Sequence, residues 1–131
     1  MRVVVTGGRT LTNVAMIKNG LESFIREIGE ITELLHGDAE GADRTAAWVA
    51  VHLLKIPVIT EPANWSDVTA QGAVIKYRRG GYAYNALAGH WRNQRMIDLY
   101  KPEYGIVFPG GKGTADMKQR LIVNGVKIYE V

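Results

Sequence analysis

The stretch Ile106–Met117, IVFPGGKGTADM, runs three apolar residues into a proline and then places three glycines within four positions. The apolar run reads as a buried strand and the Pro-Gly as its exit turn. Thr114–Val123, closed by Asn124-Gly125, reads as the helix that follows. A strand feeding a helix through a short loop is the repeating unit of a parallel α/β sheet. The loop has chemistry of its own. A helix start exposes unpaired N–H groups and about half a unit of positive charge. Gly110, Gly111 and Gly113 strip the approach of side chains, and Thr114 adds a hydroxyl. The N–H groups of Gly113 to Ala115 are then expected to face an anion, and phosphate suits that geometry. A tight turn also needs glycine, but three glycines at one junction favour the anion.

Two better-known phosphate loops are excluded. Walker A needs glycine where Ile106 stands, and Ser or Thr where Gly113 follows Lys112. The dinucleotide fingerprint is missing from GGRTLT, residues 7–12.

Outward from this junction the same alternation recurs. RVVVT (Arg2–Thr6) is a β-branched run ended by Gly7-Gly8. Ile17, Leu21, Phe24, Ile25 and Ile28 share one helical face, with Thr12 or Asn13 as cap and Gly29 as stop. Ile31–His36 is a second strand, and Asp43 is expected to cap a helix to about Leu54. IPVIT (Ile56–Thr60) is the third strand. Ser66–Ala88, with glycines at 72, 80 and 81, is expected to be a broken helix and a mobile loop. His90–Tyr100 is a helix with Met96 and either Leu99 or Tyr100 inward, and Val126–Val131 is the last strand. The expected architecture is a Rossmann-like three-layer α/β sandwich around a mostly parallel five-stranded sheet. It spans residues 1–131 as one domain, with an irregular insertion at about 66–88.

Composition sets bounds. With 131 residues, 47% apolar and 22% charged, the chain is an ordinary globular one. It has no cysteine, which fits a reducing compartment. Neither a signal-peptide core nor a bilayer span is read; the longest apolar run is AAWVAV (Ala46–Val51). A cytoplasmic protein with no membrane partner is expected. The net charge is +3, yet residues 66–95 hold five basic side chains against one acid, so an anionic ligand is expected to meet that segment.

In a sheet of this kind the strand-to-helix loops gather at the carboxyl edge, where ligands bind. Four loops there carry unusual residues: TGGRT, HGDAEGADR, PANW and PGGKGT. Arg9, Arg92 and Lys112 are candidate phosphate ligands beside Gly7, Gly8, Gly37 and the Gly110–Thr114 loop. Asn93 could bond a ribose or the glycine loop. Asp38, Glu40 and Asp43 crowd one loop; Asp38 is the better ligand contact and Asp43 a cap or a brace between loops. No cofactor is expected, although a diphosphate could bring Mg²⁺. Arg95 and His52 read as surface residues, His36 as a partner of a neighbouring loop and Trp65 as a lid on the core. His90 is given no role. Lys76, Tyr77, Arg78, Arg79, Tyr82 and Tyr84 interleave cations and rings, which could serve single-stranded nucleic acid. A lid over a nucleotide is preferred, because no second basic stripe extends the surface.

Five segments together (VVVTGGRT, LLHGDAEGADRTAAWVA, PANW, AGHWRNQRMID and IVFPGGKGTADM) resemble the YspA-related branch of the SLOG superfamily along nearly the whole chain. The likeness weakens over Ser66–Leu87. The resemblance implies a Rossmann-like domain that binds, and often senses, a nucleotide-derived small molecule, and it implies a possible homodimer. SLOG domains are similar to the Lonely-Guy phosphoribohydrolases, once misnamed lysine decarboxylases. Those cut the N-glycosidic bond of nucleoside 5′-monophosphates with R-K-x-x-M and P-G-G-x-G-T-x-x-E motifs. Arg92 and Met96 match the first motif, with Asn93 in place of lysine; Pro109–Thr114 matches the second. Met117 then stands where the glutamate should, and Asp116, one position earlier, is turned by about 100° on a helix. Arg92 and Asp116 are therefore the catalytic candidates of the enzyme alternative, and binding is the preferred reading.

Overall fold

The computed structural model describes residues 1–131. β1 (Arg2–Thr6), α1 (Val14–Glu27), β2 (Glu33–His36) and α2 (Ala42–Val49) come first, and α2 runs on through a π-helical turn at Ala50–Leu54. β3 (Val58–Thr60) is followed by a separate two-stranded ribbon, β4 (Ile75–Tyr77) and β5 (Ala83–Asn85). α3 (Ala88–Tyr100), β6 (Tyr104–Val107), α4 (Lys112–Val123) and β7 (Lys127–Glu130) complete the chain.

The main sheet has five strands in the order β3-β2-β1-β6-β7, all parallel. This is the expected Rossmann-like α/β fold, flanked by four helices. β1 is central and buried on both faces, which is why its residues form an unbroken β-branched run. Val3 and Val5 point into a core with Ile17, Leu21, Phe24, Ala46 and Val49 of α1 and α2. Val4 points the other way, to Met96 and Ile97 of α3 and Met117 and Leu121 of α4. The helices α1 and α2 thus cover one face and α3 and α4 the other.

From β1 the chain steps outward to β3, then returns to lay β6 on the opposite side of β1. The strand order reverses there, and the β1 and β6 loops leave toward opposite faces. In sheets of this architecture ligands bind at the carboxyl edge beside such a switch point.

Local chemistry sets the helix ends. Asn13 caps α1, its Oδ1 accepting from the Met16 N–H at 3.1 Å. Gly20 is tolerated in α1 because the Phe108 ring lies against it; a Cβ there would come within 2.6 Å of Phe108 Cε1. In α3 it is Met96 that is buried, Tyr100 is half-buried and Leu99 is 61% exposed.

Several expectations are corrected. Ser66–Ala88 is not a broken helix: it contains the antiparallel β4–β5 hairpin. Its Gly80 and Gly81 have φ of +96° and +84° and turn the hairpin, so they serve as turn residues rather than helix breakers. Asp43 does not cap α2, because the helix begins at Ala42 behind Gly41, whose φ is +83°. α3 starts at Ala88 and α4 at Lys112, each two residues earlier than expected. β2 and β3 are shorter at their starts than the apolar runs that hold them.

Candidate functional site

The loops at the carboxyl edge are stitched together through Gly8. Its N–H donates to Pro109 O at 2.8 Å, and its carbonyl accepts from Ala42 N at 3.0 Å and Leu11 N at 3.3 Å. A Cβ on Gly7 would lie 2.6 Å from Ala42 Cβ and 2.9 Å from Phe108 Cβ. A side chain on Gly110 would strike the Thr114 hydroxyl and the Gly8 backbone. These three glycines exist for close approach between loops. Gly111 and Gly113 differ: nothing lies within 4 Å of where their side chains would be.

The start of α4 is bare. Its N-cap position, Gly111, offers no side chain to the helix. The first helical backbone bond there is Ala115 N–H to Gly111 O at 3.0 Å, so the N–H groups of Lys112, Gly113 and Thr114 have no carbonyl partner. Ala115 was expected among the free donors and is not one; the free set is shifted back by one residue because the helix starts earlier. Lys112 is exposed and Thr114 is buried at 8%.

Arg92 reaches this edge from α3. Its Nη1 donates to Gly37 O and its Nε to Asn93 Oδ1 at 3.0 Å. A side chain on Gly37 would collide with the guanidinium, so that glycine makes the seat for Arg92. Nη2 makes no hydrogen bond to the protein. Burial lowers the guanidinium pKa, and the charge of Asp43 works against that shift.

Asp43 accepts from Gly37 N at 3.0 Å and Ala39 N at 3.3 Å, and so holds the loop on which Arg92 rests. Burial pushes its carboxyl up to about 6, despite these amides and the Arg92 charge. Asp38 has a left-handed backbone, φ +57°, and its carboxylate pairs with Arg44 at 3.2 Å. His36, 3% exposed, accepts from Asp38 N at Nδ1 and meets Thr60 Oγ1 at Nε2, 2.8 Å away. The neutral ring therefore carries its proton on Nε2, and burial lowers its pKa.

The α3–α4 contact holds what the sequence could not show. Asn93 accepts from Arg92 and donates through Nδ2 to Asp116 Oδ2 at 3.0 Å. Asp116 also takes Arg120 Nε at 2.9 Å and faces His90 Nδ1 at 3.0 Å. Partial burial works to raise the Asp116 pKa, but the bonds from Arg120, Asn93 and His90 outweigh it and keep the carboxyl below its usual range. Asn93, read as a ribose contact, has both ends of its amide occupied by protein. His90, given no role, is the group sequence reasoning missed; its partner is 26 residues away on another helix, and no local spacing signals the pair. Arg95 is not a free surface charge, because it ties α3 to Glu61 at 2.7 Å. Trp65 packs over Gly89, 3.0 Å from where a Cβ would stand. Arg9 and Glu40 are exposed.

Fold and loops together define a Rossmann-like α/β domain with a bare helix N-terminus and a seated arginine at the carboxyl edge of its sheet. The family described as "YspA, cpYpsA-related SLOG family" matches residues 1–67. The chain belongs to that family. The match covers β1 to β3, and Arg92 and the α4 loop lie outside it. No curated protein and no solved structure matches. No helix is long and apolar enough to cross a membrane.

Proposed function

We propose that this chain binds a nucleotide, or a nucleotide-derived phosphate, at the carboxyl edge of the sheet, against the start of α4, and that it serves as a sensor rather than a catalyst. The observation that carries the reading is the start of α4: three unpaired N–H groups, no side-chain cap, and open space at Gly111 and Gly113. A phosphate there would meet the helix dipole and the N–H groups together. Arg92 supports the reading from the same face of the sheet, with Nη2 left over for an anion. Family membership agrees with it at the level of nucleotide-related chemistry.

The enzyme alternative needs an acid to protonate the leaving base. Asp116 is poorly suited, since three donors hold it ionised; His90, paired with it through Nδ1, is the other titratable group at that contact. Mg²⁺ is not invoked, because Asp43 is committed to loop amides and Asp38 to Arg44.

Calorimetric titration with nucleoside monophosphates and the matching nucleosides tests the binding. The monophosphates are expected to bind and the nucleosides to fail, with affinity lost in Arg92→Ala. Equal binding of both sets would overturn the reading. Free base appearing by chromatography, and disappearing in His90→Ala or Asp116→Ala, would replace the sensor with a hydrolase.

A further inference from the structure

The β4–β5 ribbon has a surface that the proposed nucleotide site does not use. Opposite residues of an antiparallel pair share a face. Lys76 stands opposite Tyr84, and the ladder continues with Arg78 N–H to Tyr82 O at 2.8 Å. Lys76, Arg78, Tyr82 and Tyr84 therefore lie on one face, two cations on one strand against two rings on the other. The Arg78 guanidinium lies 4.8 Å from the Tyr84 ring centroid, and Tyr82 is 75% exposed. Arg79 adds a third cation at the turn. None of the three is in an ion pair with the protein, and no acid occurs between Asp67 and Asp98. The ribbon is rooted in the body: Asn85 N–H donates to Trp65 O at 2.7 Å and Asn85 is 1% exposed.

We propose that this face binds single-stranded nucleic acid. Its charge complements a polyanion, and the exposed Tyr82 ring, beside Tyr84 stacked under Arg78, offers stacking surface to an unpaired base, the two requirements of sequence-tolerant single-strand binding. The tip, Arg78-Arg79-Gly80-Gly81, is charged rather than apolar, which disfavours insertion into a lipid surface. The sequence pattern alone favoured a lid because no second basic stripe was visible. What the pattern alone did not show is that the hairpin gathers those rings and cations onto one face.

The test is fluorescence anisotropy of a labelled oligothymidylate of about 12 nucleotides, titrated with the full chain at several salt concentrations. With three cations on phosphates, the log–log salt slope is expected near −2, at about −0.7 per contact. A Lys76→Gln, Arg79→Gln double variant should bring the slope to roughly −0.7. Tyr82→Ala should weaken binding on the order of tenfold. Gly113→Glu, which fills the space at the start of α4, should leave oligonucleotide binding unchanged and abolish monophosphate binding. This control separates failure of the ribbon from failure of the nucleotide site. All the substituted side chains are exposed, and retained monophosphate binding shows that the ribbon variants are folded. Absence of oligonucleotide binding, its loss in Gly113→Glu, equal affinity for a duplex of the same length or for anionic phosphatidylserine vesicles, or ribbon variants that bind like wild type would each overturn the proposal.

Discussion

Asp43 accepts two loop amides, and burial still holds its carboxyl at about 6, against an ordinary value of 3.8. The folded chain therefore keeps this proton more tightly than the unfolded one. Stability from this group falls as pH rises from about 4 to 6, by on the order of 3 kcal/mol. His36 acts in the opposite sense: burial lowers its pKa, so its share of stability is present above its ordinary 6.5 and is lost as pH falls below that. Asp43→Asn keeps an oxygen for both amides and removes the charge. Urea denaturation across this range should show the loss with rising pH disappear in Asp43→Asn, leaving the rise due to His36. Gly37→Ala is expected to unseat Arg92, lowering stability by about 1–3 kcal/mol and weakening monophosphate binding in the same titration. At this scale Arg92 and the glycines were legible in the sequence as residue types. Their division of labour was not, because whether a glycine admits a neighbouring loop or open space depends on packing between distant segments. Asp43 was misread as a cap because that role turns on whether α2 begins at Ala42 or two residues later.

Helix α4 lets stability and binding be moved in opposite directions. Gly113 lies in its first turn with room for a side chain. Gly113→Glu places a carboxylate beside the free N–H groups, and should stabilise the fold by about 0.3–1 kcal/mol while abolishing phosphate binding. A denaturation curve and a calorimetric titration of the one variant check both halves. Helix α1 gives a prediction of sign. Propensity alone says that Gly20→Ala gains about 1 kcal/mol, but the Phe108 ring occupies the space. Thermal unfolding is expected to show a loss of about 1–3 kcal/mol instead. Most elements could be read from periodicity and caps. The hairpin could not: its strands are three residues each, too short for a period of two to register, and its glycines look the same whether they break a helix or turn a ribbon.

At the scale of the molecule, a bound anion should stabilise the whole fold by mass action, about 2.7 kcal/mol at one hundred times its dissociation constant. For the preferred nucleoside monophosphate this should raise the melting temperature by several degrees, where chloride at equal ionic strength does not. The architecture was legible because strand–helix alternation dictates parallel pairing. That the first and fourth such loops would adjoin was not, because strand order is decided by which faces pack together. That order divides the chain unusually cleanly: the strands on one side of the Gly8–Pro109 contact all precede the ribbon, and the two on the other side both follow it. A backbone cut between Gly80 and Gly81 would leave Arg92 and the start of α4 on one fragment, and Gly8 and the Gly37 seat of Arg92 on the other. Under the proposed binding, anion capture would then report the reunion of the two pieces, as in a split sensor.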